Sequence, residues 1–144
     1  MPAIAFTIED IQAEAERSKV LDPGWYSNVQ CLSIDVAPSS KGDSTNYKAK
    51  LKFPSGKVIF DNFNTKATGF WIAAIAAAVN MTKAQWLVWA EAHLKSGGKV
   101  DLETELMKLQ GKTFHTQLDI RIWNNEPQNE VKGYLPVDAI VPTL

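Results

Sequence analysis

The chain has 144 residues, 45% hydrophobic and 22% charged, with a net charge of −1. That length fits one domain with a core of ordinary size, and the near-neutral total excludes attraction of a polyanion by bulk charge alone. The lone Cys31 excludes an internal disulfide.

The opening MPAIAFTIED has no basic leader and turns acidic at once, which argues against a secretion signal. The longest uncharged run, residues 67–82, is shorter than the ~20 apolar residues of a membrane span, and Asn80 interrupts it. A cytosolic protein is expected. Residues 7–19 read as a helix: Thr7 and Asp10 form a capping box, Phe6 can staple onto Ile11, and Arg17 and Lys19 complement the dipole at its end. Ile8, Ile11 and Ala15 form its apolar stripe, expected to pack on the outside or one end of the fold.

Residues 23–64 read as a three-stranded antiparallel meander. The first strand, PGWYSNVQCLSIDVAP, is apolar on both parities, as a central or bent strand would be. The loop PSSKGDST follows and carries Lys41. In the second strand Tyr47, Ala49, Leu51 and Phe53 alternate with Asn46, Lys48, Lys50 and Lys52, giving one apolar and one cationic face. Pro54-Ser55-Gly56-Lys57 is a tight turn into KVIFDNFN, again apolar on both faces. Residues 41–66 hold six lysines against Asp43 and Asp61, whereas residues 1–22 hold five acids and two bases. The meander is therefore a cationic region in a neutral protein. Edge protection against sheet aggregation is the competing explanation of its lysines.

Residues 67–110 change to helical period. Phe70, Trp71, Ala74, Ile75 and Ala78 share one face; a capping box at Thr82 and Gln85 starts a second helix, which Gly97-Gly98 ends; Asp101 caps a third. After Gly111 the period returns to two. Phe114, Thr116, Leu118, Ile120 and Ile122 point one way, and His115, Arg121 and Trp123 the other. Residues 124–129 read as a turn and 130–137 as a final strand. The expected fold is α+β, mostly β, in a single domain: a five-stranded antiparallel barrel (strands within 24–64 and 112–137), with an N-terminal helix and a helical insert (67–110) between strands three and four. This is the element order of an OB barrel. A two-layer sheet-and-helix sandwich is the alternative.

No phosphate-cradling glycine motif, zinc-type His or Cys spacing or serine elbow occurs, so no enzyme, cofactor or metal is expected. His93 and His115 read as surface or boundary residues, and Cys31 as core. Asp35, Asp61 and Asp119, each in or beside a strand, are scattered carboxylates rather than a metal set. Single-strand binding needs cations along the phosphates and flat side chains for the bases. Trp123, on the polar parity with Arg121, is the strongest stacking candidate.

Short motifs also point one way. Leu21-x-Pro23-Gly24-x-Tyr26, Ser39-Ser40-Lys41-Gly42, the lysine-rich second strand, Phe60-x-Asn62-Phe63-Asn64, Leu109-x-Gly111-Lys112 and Tyr134-Leu135-Pro136 resemble, in order and spacing, a family of bacteriophage OB-like single-stranded DNA-binding proteins. The resemblance spans about residues 20–137. It implies a non-enzymatic protein of phage DNA replication or recombination in the host cytoplasm. Its partners would be single-stranded DNA, phage replication or recombination proteins, and a second copy if it oligomerises. The expected binding set is Lys41, Lys48, Lys50, Lys52, Lys57, Arg121 and Trp123. The apolar tail, IVPTL, departs from the acidic tail of many such proteins. A protein–protein module using the aromatic helical insert, with Trp86 and Trp89, is the competing reading.

Overall fold

A computed structural model describes residues 5–18 and 20–142; within the first helix, side chains 13, 14 and 16–18 are outside that description. The elements are α1 (Ile8–Ser18), β1 (Gly24–Pro38), β2 (Thr45–Lys52), β3 (Val58–Asn64), a 3₁₀ segment (Thr65–Trp71), α2 (Ile72–Ala78), α3 (Lys83–Lys95), α4 (Leu102–Met107), β4 (Thr113–Trp123) and β5 (Glu126–Leu135). The fold is α+β. Its five strands form one antiparallel sheet in the order β3-β2-β1-β4-β5.

β1 is central because it serves two partners: Gln30–Pro38 pair with β2 and Gly24–Gln30 with β4. Its apolar residues on both parities are explained by two irregularities, between Tyr26 and Val29 and between Cys31 and Ser33. Asn28 takes a left-handed φ of 58° at the first, a conformation asparagine tolerates better than most residues. Each irregularity resets the phase, so Val29, Cys31 and Ile34 are all buried while Leu32 is 40% exposed. Burial pushes the Cys31 thiol up to about 11, consistent with an inert core residue.

The helical insert covers the inner face of the sheet. Ala74, Ile75, Ala76 and Ala77 are at most 2% exposed, and the small alanine side chains let α2 lie close to its neighbours. Thr82 and Gln85 make the expected capping box for α3, and Asp101 caps α4 by accepting from the Glu103 amide at 3.3 Å. Gly111, at φ 81°, returns the chain to the sheet. Its amide donates to the Cys31 carbonyl at 2.7 Å, and the Cys31 amide donates to the Lys112 carbonyl at 3.0 Å.

The sheet is not closed by a ladder. Its two edges, β3 and β5, meet through side chains: Tyr134 donates to the Asp61 carboxylate, and the Phe63 and Tyr134 rings lie 6.2 Å apart. Buried Ile59 and Phe63 flank Asp61 on the inward parity of β3. Burial pushes the Asp61 carboxyl up to about 6, against the opposing hydrogen bond from Tyr134.

Several expectations need correction. The Thr7–Asp10 capping box of α1 is present, but Phe6, Ile8 and Ile11 are 69%, 70% and 51% exposed, and none of the helix's described residues joins the core. Lys19 lies outside the described residues. Phe70, grouped by helical period with Trp71, is 83% exposed because the turn here is 3₁₀, interrupted at Ala67. His115 is buried, with Nε2 3.0 Å from the Val137 carbonyl; β5 and the segment after it cover a position that strand alternation placed outside. The turn expected at 124–129 is only Asn124-Asn125, both left-handed (φ 51° and 64°), as a two-residue hairpin of matching twist requires. Strand β5 accordingly starts at Glu126 and ends at Leu135.

Candidate nucleic-acid interface

The alternation of β2 is borne out: Tyr47, Ala49 and Leu51 are buried, Lys48 and Lys52 are exposed, and Lys50 is half-buried. The four-residue turn fixes the register with β3, so Lys48, Lys50 and Lys52 stand opposite Asn62, Phe60 and Val58. Phe60 is 52% exposed, and the Lys48 ammonium lies 5.8 Å from its ring centroid. Three cations and an aromatic ring thus share the outer face of a strand pair whose inner face is packed. On the β1 side, Asp35 is the acidic neighbour, opposite Lys48.

Phe60, which the sequence shows only as part of the Phe60-x-Asn62-Phe63-Asn64 motif, is not in the expected binding set. The register would have found it: a strand pair joined through Phe53 and Lys57 puts Phe60 level with Lys50 on the cationic side.

Lys57 is half-buried in that turn, where the Phe53 amide donates to its carbonyl at 2.9 Å, so it lies at the Lys52 end of the row. Lys41 is exposed in the loop before β2, at the opposite end. In the same loop Asp43 pairs with Lys66 of the 3₁₀ segment, and the Lys66 ammonium with the Ser39 hydroxyl holds the Asp43 carboxyl below its ordinary range.

Arg121 and Trp123 lie elsewhere in the sheet. Leu118 is the last β4 residue paired with β1, at Gly24, so residues 119–123 have only β5 beside them. The resulting ribbon is clamped at its base by Asn129, which accepts from the Leu21 amide and donates to the Leu21 carbonyl, both at 2.8 Å. Beyond the clamp, residues 121–128 are all exposed. Trp123 is 54% exposed with the Arg121 guanidinium 5.5 Å from its ring centroid, and on the other parity Ile122, 68% exposed, stands opposite Pro127. Ile122 was expected in the core row with Leu118 and Ile120. The alternation continues past the end of the core, which is why period alone misplaced it. Arg121 also approaches Glu130, at 4.0 Å.

The three aspartates serve separate ends: Asp61 binds Tyr134, Asp119 accepts from the Ile120 amide at 2.8 Å, and Asp35 is exposed beside Lys48. Among the described residues no group of three His, Cys, Asp or Glu side chains is placed to hold a metal. No described helix is long and apolar enough to cross a membrane. Neither a protein-family model nor a curated protein matches the chain.

Proposed function

We propose that this protein binds single-stranded DNA without catalysing a reaction, over the outer face of β2 and β3. The observation that carries this reading is the row Lys48, Lys50 and Lys52 beside the exposed Phe60 ring, on a strand pair stiffened from behind by buried Tyr47, Leu51, Ile59 and Phe63. Such a surface supplies phosphate neutralisation and a stacking platform together. The strand order suits an OB-like barrel whose seam lies between β3 and β5, with the Tyr134–Asp61 bond across the gap; that fold binds through strands two and three and the loops flanking them. In this reading Lys41 and Lys57 extend the row at its two ends, and Arg121 and Trp123 approach the strand from the β4–β5 ribbon. A role in phage replication or recombination rests on the motif resemblance alone.

The test is titration of the purified protein with oligo(dT), followed by tryptophan fluorescence at several salt concentrations. Saturable binding that weakens steeply with salt supports the reading, because phosphate neutralisation releases counterions. One observation favours a second reading, a protein-docking module: α3 is apolar outside as well as inside, with Leu87, Val88 and Leu94 46%, 70% and 53% exposed. Oligo(dT) binding that is absent or insensitive to salt would favour that reading.

A further inference from the structure

A cleft of about 400 Å³ lies at the seam between the two sheet edges, walled by residues 61–64 of β3, residues 131–134 of β5 and the 3₁₀ segment. This volume falls in the range of small-molecule sites. Trp71 forms part of its wall and is fixed there: it is 2% exposed, and its indole N–H donates to the Asn64 carbonyl at 3.2 Å. Phe70 also lines the cleft, yet is 83% exposed. Lys83, the first residue of α3, and Lys132 of β5 bring two cations to the same opening, with Lys132 also 3.0 Å from Glu130.

We propose that this cleft is a nucleotide pocket, taking one base against Phe70 and its phosphate between Lys83 and Lys132. The proposal rests on single-strand binding at the β2–β3 face and extends it by a second site. Continuity supports the choice: Asn62 lines the cleft and is also the ladder partner of Lys48. The cleft therefore opens about one strand spacing, ~5 Å, from the lysine row. A strand crossing β2 and β3 at Lys48 and Asn62 would reach the cleft that Phe70 also lines. A nucleotide offers what the lining can use, a flat face for an exposed ring and an anion for two lysines. An extended peptide added between the edge strands fits less well, because the Tyr134–Asp61 bond and the packing of Phe63 on Tyr134 draw those edges together.

The test is an amide and indole NMR titration of the full chain with thymidine 5′-monophosphate. The backbone amides of Gly69 and Gly133 and the Trp71 indole N–H are expected to shift. Phe70→Ala, and separately Lys83→Gln with Lys132→Gln, should weaken that binding about tenfold while leaving Tm nearly unchanged, since these side chains are at the surface. With a long oligo(dT) the same variants should lose affinity and cover fewer nucleotides per protein. The proposal is overturned if the mononucleotide leaves the cleft signals unmoved, if the variants bind it as the parent does, or if only a peptide moves those signals. Failure of the underlying reading shows separately, as oligo(dT) affinity unaffected by glutamine at Lys48, Lys50 and Lys52.

Discussion

Two parts of the molecule pair a cation with an exposed aromatic ring, and they are built differently. On β2–β3, Lys48 lies over Phe60, and the opposite face of the same strands is buried core. On the β4–β5 ribbon, Arg121 lies over Trp123, and both faces of residues 121–128 are exposed. The first is a platform whose geometry is fixed before a ligand arrives. The second is an arm held at its base by Asn129 and Leu21, and an isolated two-stranded ribbon has little stability of its own. A similar surface pair therefore has different expected energetics, because ordering an element with no core behind it offsets part of what its interactions contribute.

The comparison breaks most visibly in stability. Leu51→Ala, beneath the platform, should cost about 2–5 kcal/mol in denaturant unfolding through reduced burial and the cavity left behind. Ile122→Ala on the arm should change it by less than ~0.5 kcal/mol. Comparable losses would mean that the arm is packed in solution.

Affinity sharpens the contrast. Base–aromatic stacking is worth about 1–3 kcal/mol, so Phe60→Ala should weaken oligo(dT) binding about tenfold or more. Trp123→Ala should cost less, roughly threefold to tenfold, because closing the arm consumes some of its stacking energy. Isothermal titration of both variants decides this. An unchanged Trp123 variant would remove the arm from the interface.

The seam behind the platform should respond to pH. The folded Asp61 carboxyl titrates at about 6, against about 4 for an unfolded aspartate. Between those values the folded state binds more protons, so stability falls as pH rises. The stabilisation is fully present below about pH 4 and is lost as pH passes through about 6, up to ~3 kcal/mol in all. Asp61→Asn, whose amide oxygen still accepts from Tyr134, should flatten the dependence of Tm on pH in this window. A parallel profile would contradict the burial of the carboxyl.

A local effect is expected at the base of the arm. Asn129→Ala removes two hydrogen bonds to Leu21 and should cost ~1 kcal/mol. Amide exchange at Leu21 and in residues 119–130 should accelerate, while β2 amides stay protected.

Much of this was legible in the chain. The β2 alternation, the Thr82–Gln85 box and the Asp101 cap are local patterns whose physics lies within a few residues, and each is present. What escaped depends on partners distant in sequence. Both apolar parities of β1 were visible, but the irregularities that bring each inward depend on its having two sheet partners. Ile122 follows the parity of Leu118 but stands where β1 has ended, and Phe70 follows the period of α2 just before that helix begins. His115 looked outward until the chain after β5 came back to cover it. The lysines of the candidate site were found from alternation, Phe60 needed the hairpin register, and the seam cleft needed the whole sheet.

The central claim is that the β2 lysines neutralise phosphates, and the slope of log affinity for oligo(dT) against log salt tests it most directly. In the variant with glutamine at Lys48, Lys50 and Lys52, that slope should flatten by roughly one unit for each phosphate left without its lysine, about two to three in all, with Tm nearly unchanged. A triple variant that binds as tightly as the parent, with the same slope, would contradict the account and leave these lysines as protection of the sheet surface.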